Sequence, residues 1–180
     1  MKILSLLVLS LSCISNLTAQ QTKQPDQSVG RNSFYAELGG PGVLFSANID
    51  HRFKNSRLGW GGRAGLGFVN SSRDEYDAVN GYYVYRDATV LTLPLQVNYI
   101  FGKGTNPNTF EAGAGLTFLS RGINVFGDSN DSRSSVLGTF SFMYRRQPAD
   151  GGFTWRIGFV PIIGDGFIQP SAGAGVGYNF

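Results

Sequence analysis

The chain has 180 residues, a one-domain length, with 25 glycines, 42% apolar and 15% charged residues and a formal net charge of +3. Charge this sparse is unlike an ordinary soluble surface, where about a quarter of residues are ionised, and a mean hydropathy near zero excludes a bundle of membrane-crossing helices. So small a surplus of cations, without a basic run or an aromatic RNA-binding motif, argues against a nucleic-acid surface.

Residues 1–19 open with Lys2, continue through an apolar core from Ile3 to Leu11 and end on Leu17-Thr18-Ala19. That is the layout of a secretory signal peptide cleaved after Ala19. Its core is too short to cross a bilayer as a helix, which needs about 20 residues. Cys13, the one cysteine, lies inside it, either as a discarded signal residue or as a lipoprotein acylation site, although Ser10-Leu11-Ser12 lacks the usual leading Leu. Residues 20–32 are polar and Gln-rich, show no periodicity and read as a flexible periplasmic lead-in.

From residue 33 onward, period-2 alternation recurs between turn signals and no window carries a helical stripe. The first segment, 33–39, sets Phe34, Ala36 and Leu38 against Tyr35 and Glu37, and Gly39-Gly40-Pro41-Gly42 turns it. The second, 43–53, opposes Val43, Phe45, Ala47 and Ile49 to Ser46, Asn48, Asp50 and Arg52. The third, 59–70, opposes Trp60, Ala64, Leu66 and Phe68 to Gly61, Arg63, Gly65 and Gly67, and a polar, tyrosine-rich loop at 71–87 follows. The fourth, 88–101, places Leu91, Leu93, Leu95, Val97, Tyr99 and Phe101 opposite Thr92, Pro94, Gln96 and Asn98. The fifth, 109–120, has Phe110, Ala112, Ala114, Leu116 and Phe118 against Glu111, Gly113, Gly115 and Thr117, ahead of a second polar loop at 121–135. The sixth, 136–146, sets Phe140, Phe142 and Tyr144 against Thr139, Ser141, Met143 and Arg145. The seventh, 153–162, sets Phe153, Trp155, Ile157 and Phe159 against Thr154, Arg156 and Gly158. The eighth, 168–180, ends on an uninterrupted alternation of Ala172, Ala174, Val176, Tyr178 and Phe180 with Gly173, Gly175, Gly177 and Asn179.

Segments that carry their bulk on one side and glycine or polar groups on the other suit a strand with hydrocarbon outside and a polar lumen inside. The fold class predicted for 33–180 is therefore all-β, an eight-stranded antiparallel up-and-down transmembrane β-barrel. With both termini in the periplasm, the short turns at 54–58, 102–108 and 147–152 fall on that side and the two long loops outside. The tight first outer connection, Gly40 to Gly42, is the discordant one. Aromatic residues near strand ends, among them Trp60, Phe101, Phe110, Tyr144, Phe153 and Phe180, fit interfacial girdles.

The runs Phe34-Tyr35-Ala36-Glu37-Leu38-Gly39-Gly40 and Leu44-Phe45-Ser46-Ala47-Asn48, with Gly-Arg-Ala-Gly-Leu-Gly from Gly62 to Gly67, are the first motifs of a family resemblance. Leu93-Pro94-Leu95 before Asn98-Tyr99, and Glu111-Ala112-Gly113-Ala114-Gly115, complete it. Together they resemble the small outer-membrane β-barrel proteins of Bacteroidetes and, more distantly, OmpA-like and OmpW-like barrels. The resemblance covers nearly all of the mature chain and implies the outer membrane of a Gram-negative envelope, with no agreed activity. It also implies that Val176, Tyr178 and Phe180 form the assembly signal read by the insertion machinery, with periplasmic chaperones on the route.

An eight-stranded lumen is wide enough only for side chains, so the inward charges Glu37, Asp50, Arg52, Arg63, Glu111, Arg145 and Arg156 are expected to pair across it. The readings are a closed plug, or a narrow porin-like ion path in which Arg63, Glu111 and Arg156 exchange partners. His51, the one histidine, resembles in type the histidine of lipid A-modifying barrels, but the alternation turns it outward at the periplasmic end, against a Ser, His and acid arrangement. The glycine pairs lack the G-x-G-x-x-G spacing of a phosphate cradle, and Asp128-Ser-Asn130-Asp131 lacks the Gly and distant Glu of a calcium loop. No cofactor and no metal are expected. Tyr82, Tyr83 and Tyr85 are candidate exposed contacts, or a hairpin continuing above the membrane. The favoured function is a non-enzymatic barrel, anchored in outer-membrane lipid, that meets ligands or proteins through loops 71–87 and 121–135. A small transporter for hydrophobic or small polar solutes is the alternative, and a lipid A-modifying enzyme is third. A soluble lipocalin-type barrel would need the reverse sidedness.

Overall fold

The computed structural model describes residues 30–77, 81–104, 106–123, 134–164 and 166–180, with the backbone alone at 72–77 and 82–87. The signal peptide, nearly all of the lead-in, most of loop 121–135 and the tyrosine side chains of 82–85 lie outside the described residues.

Period-2 patterning becomes strands β1 (Asn32–Gly39), β2 (Phe45–Arg52), β3 (Gly59–Asp77), β4 (Tyr82–Phe101) and β5 (Asn108–Ile123). The chain continues through β6 (Ser134–Arg146), β7 (Gly152–Phe159), β8 (Ile162–Gly164), β9 (Phe167–Gln169) and β10 (Ala172–Asn179). These ten strands build eight staves. β6 pairs with β7 and β8 in one unbroken register, from Phe142↔Phe159 to Thr139↔Ile162. β10 and β9 do the same against that stave, from Ala172↔Phe159 to Ile162↔Gln169. The interruptions fall at Pro161 and Pro170, which have no N–H to give to the ladder. Bonds from Phe140 N–H to the Pro161 carbonyl (3.1 Å) and from Val160 N–H to the Ser171 carbonyl (2.7 Å) carry it past them. All pairings are antiparallel, and β1 with β10 and β5 with β6 close the sheet on itself. The fold is thus the all-β, closed, eight-stranded barrel that the alternation predicts.

Three connections differ from the sequence reading, the smallest change being that β5 runs to Ile123 and β6 starts at Ser134, inside the stretch read as loop 121–135. Residues 71–87, read as a loop, are mostly ladder: β3 and β4 pair from Ser71↔Ala88 out to Asp77↔Tyr82, with Tyr76 opposite Tyr83. The sequence there is mostly polar and lacks the hydrophobic alternation that signals a strand, while the backbone pairing continues. The Gly40–Gly42 connection, read as an outer turn, is a buried 3-10 turn packed inside the barrel mouth. Thr92 Oγ1 donates to the Gly42 carbonyl (3.1 Å) and Thr117 Oγ1 to the Pro41 carbonyl (2.6 Å). The chain leaves it through Val43 at φ 76° and ψ −70°, with Leu44 N–H on the Gly42 carbonyl at 3.2 Å, a positive-φ γ-turn. A β-branched residue there carries strain of roughly 1–3 kcal/mol, which the buried contacts of the turn must outweigh.

Sidedness follows the alternation. Phe34, Leu38, Ile49, Leu66, Leu91, Leu95, Phe142, Ile157 and Val176 are exposed, whereas Glu37, Ser46, Asn48, Asp50, Thr92, Asn98, Ser141 and Asn179 are buried. This surface inverts the arrangement of a water-soluble barrel. Bare inward positions make room for long neighbours: a β-carbon on Gly61 would overlap the Arg52 guanidinium, and one on Gly177 would overlap Tyr35. Gly61→Val is therefore expected to cost about 1–3 kcal/mol by overpacking, while Leu66→Val, on the outer face, stays within about 1 kcal/mol. Urea unfolding of both variants in one detergent checks this, and equal midpoints would refute the close-packed lumen.

Candidate functional site

The lumen is filled in three levels. At the mouth with the long hairpins, inward parity ends on apolar residues: Val90, Leu119, Ile123, Leu137 and Ile162 form a buried cluster against which Val43 and Val69 pack. The Gly40–Gly42 turn seats beside this layer, through Thr92 and Thr117.

Below it lies a chain of seven charges in strict alternation. Arg52 bonds Asp50; Asp50 accepts from Arg145 (2.7 Å); Arg145 donates to Glu111 (3.1 Å). Glu111 in turn accepts from Arg156 (3.3 Å), Arg156 donates to Glu37 (2.9 Å), and Glu37 accepts from Arg63 (3.4 Å). The members come from β2, β6, β5, β7, β1 and β3, and neutral groups bring in the remaining staves. Gln96 on β4 accepts from Arg63, Asn98 on β4 donates to Glu111 (3.1 Å), and Asn179 on β10 accepts from Arg145 (3.4 Å). Every stave thus touches one network. Each carboxylate lies between two guanidiniums, the arrangement that offsets the several kcal/mol of desolvation each buried ion carries. Arg156 also lays its guanidinium carbon 3.6 Å from the Tyr35 ring centroid, and the Tyr35 hydroxyl accepts from Arg63 at 3.1 Å.

The third level closes the opposite mouth. Arg57, in the turn between β2 and β3, donates to the carbonyls of Gln147 (2.5 Å), Lys103 (3.2 Å), Gly104 (2.8 Å) and Asn106 (2.8 Å). One guanidinium thereby ties all three short turns together. Gln147 donates to the Gly30 carbonyl (2.9 Å) and Arg31 to the Arg52 carbonyl (3.0 Å), drawing the start of the barrel across the same mouth. Burial lowers the Arg57 pKa from its ordinary value, and nearby Asp150 opposes that shift.

All seven residues singled out from inward parity meet in this network. Within it Arg63 bonds Glu37, and Arg156 bridges Glu37 to Glu111. His51 is exposed on the outer face with Nδ1 2.6 Å from Asn32 Oδ1, while its neighbour Asp50 points into the lumen, so no Ser, His and acid set assembles there. Val176, Tyr178 and Phe180 line the outer face of the closing stave. Tyr82 and Tyr83 stand opposite Asp77 and Tyr76, and Tyr85 opposite Asp74, in the upper hairpin. Tyr35, Gln96, Asn98 and Arg57 were missed as site residues. Inward parity was available for the first three, whereas nothing in a polar turn marks Arg57.

Glu111→Gln takes from Arg145 and Arg156 one of the two carboxylates each holds and is expected to destabilise the barrel by about 3 kcal/mol, against under about 1 kcal/mol for an outer-face change such as Leu116→Val. Denaturant midpoints that move alike for the two variants would dissolve the network argument. No protein-family profile matches the chain, and no curated protein matches it in sequence. Among solved structures, the chain is similar to the N-terminal β-barrel domain of Pseudomonas aeruginosa OprF, at 14% identity and a TM-score of 0.53, covering 84% of this chain and 99% of that one. It also aligns with the Yersinia pestis outer membrane protein Ail in a phospholipid nanodisc, at 15% identity and a TM-score of 0.48, covering 84% and 99%. The likeness to the OprF domain is one of fold: a closed, eight-stranded antiparallel β-barrel.

Proposed function

We propose that residues 33–180 form a non-enzymatic outer-membrane β-barrel, exported by a signal peptide at 1–19 and joined to it by a periplasmic lead-in at 20–32. The apolar exterior anchors it in outer-membrane lipid, the short turns face the periplasm, and the segments 71–87 and 121–135 meet ligands or other proteins outside. The motif resemblance favours the small barrels of Bacteroidetes, and Val176, Tyr178 and Phe180 are the signal offered to the insertion machinery and its chaperones.

The observation that carries this reading is the filled lumen. Seven alternating charges are sealed between an apolar layer at one mouth and the Arg57 knot at the other. An ion would have to separate paired charges and then pass a constriction that sheds water. This arrangement supports an anchor and speaks against a transporter that uses the lumen. The outward, exposed His51 likewise supports a non-enzymatic reading over lipid A modification.

The protein is expected in the outer-membrane fraction, with folded and boiled forms migrating differently in detergent gels. Planar-bilayer recordings are expected to show no steady conductance. Recovery in the soluble fraction would remove the membrane reading. Steady openings that change on neutralising Arg63 or Glu111 would replace the anchor with the transporter.

A further inference from the structure

The end of the barrel that carries the short turns repeats one local pattern. The last outward aromatic of a stave is followed within two residues by a cation: Phe53 by Lys54, Phe101 by Lys103, and Tyr144 by Arg146. Phe53, Phe101, Lys54, Lys103 and Arg146 are exposed. Among the described residues no carboxylate pairs with these three cations, and Asp150 is the one acidic side chain in the turns at 53–58, 102–107 and 147–151. Aromatic rings line this end in two runs: Trp60 meets Tyr99 at 5.2 Å and Tyr99 meets Phe101 at 4.6 Å, while Tyr144 meets Phe110 and Trp155 at 5.5 Å each.

The cations are also gathered. Arg57 bonds the carbonyl of Lys103 and that of Gln147, the residue after Arg146, from the same turn that carries Lys54. Arg31 is drawn in through Arg52. The collar is therefore a set of positive groups on turns fixed to one another, just beyond an aromatic belt.

We infer that this collar is a binding surface for the headgroups of anionic phospholipid in the leaflet next to the short turns. The inference rests on the membrane reading above and adds the headgroup chemistry that one end of the barrel selects. Aromatic side chains settle at the edge of the hydrocarbon. A cation one or two residues further along lies about 3–7 Å beyond that edge, where phosphate groups lie. A phosphodiester without a neutralising amine supplies the charge that the turns lack. A soluble acidic polymer would be met by the cations alone and would leave the aromatic ring unused.

The two tryptophans, Trp60 and Trp155, are on the outer face at this end and report the bound lipid directly. Wild type and the triple variant Lys54→Gln, Lys103→Gln, Arg146→Gln would be refolded in phosphatidylcholine, with insertion checked by heat-modifiable migration. Brominated phosphatidylglycerol and brominated phosphatidylcholine would then be compared as quenchers. Each cation near a lipid surface favours an anionic headgroup by about fivefold. Wild type is accordingly expected to prefer the glycerol lipid by about fivefold or more at low salt, less as salt rises, and the inserted triple variant to quench about equally with both. Equal quenching of the wild type, or a preference unchanged in the triple variant, overturns the inference and leaves the membrane reading intact. A wild type that does not insert at all overturns both.

Discussion

A barrel of eight staves has an interior only as wide as its own side chains, so every charge placed inside must find its counter-charge within arm's reach. That constraint organises this molecule. Four guanidiniums and three carboxylates satisfy it by standing in a single alternating line with an arginine at each end. Interior volume is conserved as strictly as charge. Where Arg52 reaches inward from β2, its neighbour on β3 is Gly61; where Tyr35 reaches inward from β1, its neighbour on β10 is Gly177. The high glycine content of the chain is in part the complement of its long inward arginines.

Much of this was legible from alternation alone. Parity separates inside from outside without any knowledge of pairing, so the seven luminal charges and the outward His51 follow from counting by twos. Partner choice does not, because which luminal groups meet depends on the stagger between staves, which turn lengths leave open. Arg63 reaches Glu37 and Gln96 while Glu111 goes to Arg145 and Arg156, and no local pattern distinguishes these pairings from their exchange. The inward tuck of Gly40–Gly42 was hidden for a similar reason: Gly-Pro-Gly turns a chain equally well over a rim or into a mouth. Its seat is decided by distant hydroxyls, Thr92 and Thr117. The hairpin above residue 71 was hidden by its own polarity. A ladder built on a mostly polar sequence has hydrogen bonds but no hydrophobic period.

The two seals differ in chemistry. The mouth with the tall hairpins is closed by aliphatic side chains and a strained turn, and the mouth with the short turns by one guanidinium on four carbonyls. At the first, Thr92 and Thr117 tie the Gly40–Gly42 turn to β4 and β5; at the second, a single side chain spans three turns. Directed hydrogen bonds fix the turns relative to one another. The short turns are thus fixed to one another, while β3 and β4 extend well past the paired ends of β1 and β2 at the other mouth.

Turns fixed to one another have a consequence for what the exterior can recognise. Lys54, Lys103 and Arg146 have long, mobile side chains, but their backbone origins cannot drift apart while Arg57 holds the carbonyls of Lys103 and Gln147. A ligand meeting those cations therefore does not have to draw three loops together, and that ordering cost is already met by folding. The luminal chain extends the same effect through the wall. Arg145 and Arg146 are consecutive on β6, one pointing into the network and the other into the collar. The charge that locks the interior and the charge that faces outward are positioned by the same stretch of backbone. Packing of the lumen thereby sets the geometry of the surface, and the filled interior holds the exterior in register.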